Sequence, residues 1–137
     1  MKQTRLKCNV GEYGVIFHDN KVLILRLPEN SEFKGENWML PGGRLDETDQ
    51  PEEGLKREIK EETGLDVEII SPCHTARWGN EEPPKYSVFY SCTANDSNVL
   101  ISDEHIDYKW IKQSAIDEIP FHNKNSKIAI ERAILLK

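Results

Sequence analysis

A mixed β-sheet held between helices, an α/β (α+β) arrangement, is the fold class this sequence predicts. Three observations carry it. Short apolar runs of strand length recur at positions 14–18, 21–27, 38–40, 66–71, 85–94 and 107–111. Two longer stretches, 51–63 and 126–136, space their apolar residues at the helical period instead. Asp19-Asn20, between the first two runs, is a two-residue hairpin signal. Strands mixed with helices in this way suggest one mixed sheet lying between the two helices.

The elements follow in order. Gly14–His18 and Lys21–Leu27 form the hairpin, and the almost continuous apolar run Val22–Leu25 suggests a strand covered on both faces. Positions 28–37 are a polar loop, and Trp38-Met39-Leu40 is a short strand leading into Pro41-Gly42-Gly43. Pro41 restricts the residue before it, and the glycines let backbone approach a ligand closely. A helix should start near Pro51, a favourable first position, and end by Gly64, a natural C-terminal cap; Gln50 is a weak N-cap. Leu55 and Ile59 form its buried stripe, with Lys56 and Lys60 toward solvent. Asp66–Ser71 and Lys85–Ala94 read as strands, the second alternating Tyr86, Val88, Tyr90 against Ser87, Phe89, Ser91. Asp107–Ile111 is the last strand and Ser114–Ile119 a helical turn. Ser126–Leu136 is an amphipathic helix with Ile128, Ala129, Ala133 and Leu136 as core contacts.

With 137 residues the chain fits a single domain, 1–137, with one filled core. No apolar run approaches the roughly 18 residues of a membrane span. The N-terminal segment carries charge without an apolar stretch, so no signal peptide is expected. Cys8, Cys73 and Cys92 are odd in number and far apart, which argues against a disulfide framework and for a reducing, cytoplasmic setting. Cys73-His74 has no partner pair at zinc-finger spacing and reads as part of a half-buried strand. A net charge of −6 disfavours nucleic-acid polymers and anionic membranes. It leaves room for a nucleotide, whose phosphates can approach carboxylates through intervening cations.

Chemistry concentrates between Gly43 and Leu65, GRLDETDQPEEGLKREIKEETGL. Glu58, Glu61 and Glu62 stand at i, i+3 and i+4 on the first helix, within an arc of roughly 100°. Like charges so placed destabilise a helix by a few tenths of a kcal/mol per pair, so a cation is expected over them. Hard divalent ions take such oxygen ligands. This segment resembles the signature of the Nudix hydrolases, G-x5-E-x7-R-E-U-x-E-E-x-G-U, where U is bulky and aliphatic. Gly43, Arg57, Glu58, Ile59, Glu61, Glu62, Gly64 and Leu65 match at the required spacing. Under average residue usage that coincidence has odds on the order of 10⁻⁸. Asp49 stands where the signature has its first Glu, the residue that braces the loop against the signature arginine, here Arg57. The shorter side chain is expected to reach Arg57 less well.

The resemblance implies an α/β/α sandwich and Mg²⁺-dependent attack of water on a nucleoside diphosphate linked to a group X, with Mn²⁺ as an alternative cation. It makes Glu58 and Glu62 direct ligands, Glu61 a direct or water-mediated one, and a carbonyl of Gly42 or Gly43 a further ligand; Gly43 is the choice here. Arg57 would orient a glutamate or the loop. Relatives often draw their general base from the loop before the last strand, here SDEHIDYKW, which makes Glu104 the first choice and Asp103 the next. Arg26 and Arg44 are candidates for phosphate contacts, and Phe33 and Trp78 for stacking on a base. The Trp38–Gly43 entry looks like MutT-type enzymes that convert a nucleoside triphosphate to monophosphate and pyrophosphate. Pro83-Pro84 points weakly to ADP-ribose or a related dinucleotide, and a non-catalytic nucleotide-sensing domain is the reading from another class. No coenzyme A motif is present, the acidic charge disfavours RNA decapping, and a homodimer is one assembly the family adopts.

Overall fold

A computed structural model describes residues 4–29 and 35–137. Phe33 lies outside the described residues. Among these residues the sheet has seven strands: β1 (Asn9–His18), β2 (Lys21–Arg26), β3 (Trp38–Met39), β4 (Gly42–Arg44), β5 (Val67–Arg77), β6 (Lys85–Ala94) and β7 (Asp107–Lys112). The helices are α1 (Pro51–Thr63) and α2 (Lys124–Leu135), with a 3₁₀ turn at Gln113–Glu118. No helix among them is long and apolar enough to cross a membrane.

The sheet is mixed. β1 runs parallel to β6 along Asn9–Phe17, while β1–β2, β1–β4, β2–β3, β2–β7 and β5–β6 are antiparallel. Asp19 and Asn20 both take positive φ, 49° and 62°, so the β1–β2 hairpin turns in two residues. Beyond Val22 the two strands diverge. β7 holds the far edge of β2 throughout, so β3 must take the edge facing β1, and β4 takes the vacated edge of β1. Residues 38–44 thus fill a wedge between β1 and β2, tied by the Gly14 N–H donating to the Pro41 carbonyl at 2.9 Å. That wedge sets the glycine turn beneath α1.

The helices cover opposite faces. Consecutive strand residues point to opposite sides. A side chain at Gly14 would meet Ile59 of α1 at 3.0 Å, whereas neighbouring Tyr13 stacks on Phe89, with ring centroids 5.2 Å apart. Phe89 in turn lies against His74, whose Nε2 is 2.9 Å from Asn125 Oδ1 of α2. The layers are therefore α1, sheet, α2. Leu55 and Ile59 are fully buried, and so are Val22–Leu25, covered on both faces as their apolar run predicts.

Several boundaries differ from expectation. β1 starts at Asn9, five residues early, because Gly11 and Gly14 leave space for Lys85 and Ile59 rather than breaking the strand. β5 continues from Ser71 to Arg77 through Pro72, which sits at a register shift on an edge strand where proline is tolerated. β6 alternates only in its first half, because it is flanked by β1 and β5 and becomes covered on both faces. α2 starts at Lys124, capped by Asn123, whose side chain accepts the Asn125 N–H at 2.8 Å. Leu136 lies just past the helix and is 61% exposed; Ile130, fully buried, takes the place assigned to it in the core.

Gly42 has φ 148°, and a Cβ there would sit 2.0 Å from the Glu12 carbonyl oxygen. Gly42→Ala should therefore cost more than the roughly 1–3 kcal/mol of a strained residue alone. Leu55→Ala, which empties a buried site, should cost about 2–5 kcal/mol. Urea unfolding of the two variants checks both, and wild-type stability of Gly42→Ala would show that the wedge is not under this constraint.

Candidate active site

α1 holds its signature residues in the expected faces. Pro51 opens the helix, Gln50 gives no side-chain cap, and Gly64 closes it at φ 76° with its N–H bonded to the Lys60 carbonyl. Glu62 is 4% exposed, and its Oε1 accepts the Gly42 N–H at 2.8 Å. Glu58 lies against Gly43, where a Cβ would come within 3.0 Å of its Oε2. Any larger residue at 43 would push that carboxylate away. Glu61 is more exposed, its side chain 58% accessible.

Arg57 ties the helix to its lead-in loop. One guanidinium nitrogen lies 2.8 Å from Asp49 Oδ2 and 3.5 Å from Asp46 Oδ2; the other lies 3.6 Å from Glu58 Oε1 and 3.5 Å from Glu61 Oε1. Asp49 also accepts the Asp46 N–H at 3.0 Å. The shorter carboxylate thus reaches Arg57 after all, because the backbone hydrogen bond from Asp49 N–H to the Asp46 carbonyl draws the loop in.

The loop 99–106 is fastened over the end of α1. Leu100 N–H donates to the Thr63 carbonyl and Ser102 N–H to that of Glu62; farther on, Ile106 N–H donates to the Arg26 carbonyl. Among the described residues, the trio whose ligating atoms lie within 4.8 Å of one another is Glu62, Glu104 and His105, rather than Glu58, Glu61 and Glu62. His105 escaped the sequence reading, which weighed only carboxylates in SDEHIDYKW; an imidazole in so acidic a string was the available signal. Glu104 is exposed, whereas His105 is 5% exposed.

Electrostatics reflect this crowding. Burial drives the Glu62 carboxyl up to about 8, against the Gly42 N–H, with Glu58, Glu104 and Glu61 adding repulsion. Burial, then Glu61, raises Glu58. A buried carboxylate hemmed in by others is costly unless a positive charge joins it. These donors, mostly hard carboxylate oxygens, suit a divalent cation. A second buried acid, Glu12 on β1, is 3% exposed and raised to about 7 by burial, although it hydrogen-bonds Tyr90. It was missed because the strand was expected to start after it.

The substrate-binding candidates separate. Arg44 pairs with Glu81 and lies within electrostatic reach of Lys85. Lys85 in turn sits 4.3 Å over the Trp78 ring and bonds the Tyr13 hydroxyl. Trp78 is half-buried, its N–H donating to Ser87 Oγ at 2.8 Å and its ring 5.8 Å from His122. Lys85 thus covers one face of the Trp78 ring, where a base could stack once Lys85 moves aside. Arg26 is elsewhere, at the end of β2, held by Glu29 and Asn37 with its guanidinium 5.8 Å from the Trp38 ring. His74 is held by Asn125 and Arg132, a structural role that agrees with its half-buried strand reading.

The family model of the NUDIX domain matches residues 10–132. A nucleoside triphosphatase NudI of Salmonella paratyphi B is 27% identical, covering 100% of this chain and 98% of that protein. Among solved structures, a MutT protein from Methanosarcina mazei Go1 superposes with a TM-score of 0.81 at 24% identity, covering 98% of both chains. An ADP-ribose pyrophosphatase from Streptococcus suis 89-1591 gives 0.72 at 20%, covering 95% of this chain and 92% of that one. Both structural likenesses bear on the fold alone. With the domain matched over most of its length and the α/β/α layers built around the helix of Glu58, Glu61 and Glu62, the chain belongs to the Nudix hydrolase family.

Proposed function

We propose that this hydrolase cleaves a nucleoside triphosphate to a nucleoside monophosphate and pyrophosphate, using Mg²⁺ or, alternatively, Mn²⁺. The observation that carries the reading is Glu62, buried and crowded by Glu58, Glu104 and Glu61 beside the Gly42-Gly43 turn. The NudI relatives, matched along almost their whole length, support a triphosphate as substrate. Glu58 and Glu62 would hold the cation, Glu61 would bind it directly or through water, and a carbonyl of Gly42 or Gly43 would add a further oxygen. When bound, the ion supplies neutralisation of phosphoryl charge and lowers the pKa of a coordinated water.

The chain's own groups do the remaining work. Glu104, exposed beside Glu62, takes the proton from the attacking water, with Asp103 the next candidate. Arg57 holds Glu58 and Glu61 against the loop through Asp46 and Asp49. Arg44 meets the phosphates, and Trp78, once Lys85 swings off its ring, meets the base. Arg26 and Phe33 are retained as further substrate contacts.

A panel of nucleoside triphosphates, oxidised triphosphates and ADP-ribose, read by phosphate and pyrophosphate release with Mg²⁺, tests this. Triphosphates should yield pyrophosphate. Preferred cleavage of ADP-ribose would replace the substrate class, and tight nucleotide binding without turnover would favour a sensing domain. Glu58→Gln and Glu62→Gln should each lower turnover by more than roughly 100-fold, beyond the 10–100-fold typical of outer-shell partners. Full turnover in both would remove the cation assignment.

Stability should carry a matching pH signature. Glu62 and Glu12 are raised from about 4.5 to about 8 and about 7, so the folded state binds their protons more tightly than the unfolded chain. Their contribution is fully present below about pH 4.5 and fades as pH rises through about 8. The metal-free protein should therefore lose melting temperature across that window. Mg²⁺ at a hundredfold excess over its Kd should restore about 2.7 kcal/mol near pH 8 and much less near pH 5, where protons compete. Thermal melts with Mg²⁺ or a chelator decide it. In Glu62→Gln, whose amide oxygen can still accept the Gly42 N–H, the Mg²⁺ gain should vanish without loss of metal-free stability.

A further inference from the structure

His105 lies in the loop fastened over α1, and its environment is unusual for a histidine. The residue is 5% exposed, and its Nδ1 is buried without a hydrogen-bond partner among the described residues. A buried polar atom left unsatisfied costs roughly 1–3 kcal/mol, so such an atom asks for a missing partner. A core histidine held for structure would have its nitrogens engaged, as those of His74 are by Asn125 and Arg132. A histidine that oriented Glu104 from Nδ1 would hydrogen-bond it, and Nδ1 bonds neither Glu104 nor any other described residue.

What surrounds His105 is a set of ligand atoms. One ring nitrogen, one Glu62 oxygen and one Glu104 oxygen all lie within 4.8 Å of one another. Around an ion with bonds of about 2.1 Å, opposite ligands stand about 4.2 Å apart and neighbouring ones about 3.0–3.4 Å, so the set closes as the exposed Glu104 turns inward. Glu62 gives one oxygen to the Gly42 N–H and keeps the other; Glu104 would offer one oxygen to the ion and keep its second free to accept a proton. Backbone bonds at Leu100, Ser102, His105 and Ile106 fix the loop, so the main chain that carries the buried imidazole is held before any ion arrives.

We propose that His105 is a direct nitrogen ligand of the divalent cation, acting with Glu62 and Glu104 in a mixed nitrogen–oxygen site. The proposal rests on the reading that Glu62 holds a cation. Its consequence is selectivity. Carboxylate and water suit Mg²⁺ and Mn²⁺ alike, but imidazole favours first-row transition ions over Mg²⁺. This chain should therefore bind Mn²⁺ more tightly, relative to Mg²⁺, than an all-oxygen site would.

Pulsed EPR of Mn²⁺ added to the metal-stripped full chain tests it. The wild type should show coupling to a directly bonded nitrogen, and the coupling should change when histidine is labelled with ¹⁵N. In His105→Gln the ion should still bind, the histidine coupling should disappear, and Mn²⁺ affinity should fall on the order of tenfold with a smaller change for Mg²⁺. Bound Mn²⁺ with no histidine coupling, or the same coupling in His105→Gln, overturns the role of His105 and leaves the carboxylate site standing. Failure of the wild type to bind Mn²⁺ at all overturns both. The labelled wild-type spectrum requires no variant, so a misfolded His105→Gln would not shield the proposal.

Discussion

The hydrogen bond from the Gly42 N–H to the Glu62 carboxylate is the contact on which the rest of this structure turns. It joins the end of α1 to the glycine turn that the β3–β4 wedge pushes between β1 and β2. Both partners are buried, and one is an acid. A buried carboxylate with a single backbone donor is under-compensated, since burial costs more than one neutral hydrogen bond returns. The fold accepts that imbalance at one point and surrounds it with further acids. A scaffold built for stability alone has no reason to do so, whereas a site awaiting a cation does.

Around that contact the chain separates its duties by face. On α1 the apolar pair Leu55 and Ile59 is driven into the sheet, which fixes the rotation of the helix about its axis. Once the rotation is fixed, Glu58 and Glu62 must turn toward the glycine turn, and Lys56 and Lys60 toward water. Arg57 occupies the boundary between acids and loop, and its fork of donors spans Asp46, Asp49, Glu58 and Glu61 at once. The core thus orients the chemistry: the burial of two aliphatic side chains decides which way the carboxylates point.

Much of the fold was legible because its signals are local. The Asp19-Asn20 turn, the Pro51 start, the Gly64 stop and the fully covered run Val22–Leu25 each depend on residues within a few positions. The errors have a common physical origin. The first strand was expected to begin only at Gly14 and another to stop at Ser71, because whether a glycine or a proline interrupts a strand depends on what packs beside it. Leu136 looked like core because helical spacing continues on paper past the residue where the helix stops. Glu12 was lost with the misplaced start of β1.

The sequence by itself determined the family's helix, its spacing of acids and its flanking turn, because helical geometry converts intervals of three and four residues directly into a shared face. Tertiary structure alone decided which carboxylates meet. Glu62, crowded by Glu58 and Glu61 of its own helix, is also brought to Glu104 and His105, and that depends on a loop more than forty residues away along the chain. Its position is set by backbone hydrogen bonds to Glu62, Thr63 and Arg26 on two other elements. No local pattern encodes such a convergence, since it follows from the register of strands that pair only after the chain has closed on itself.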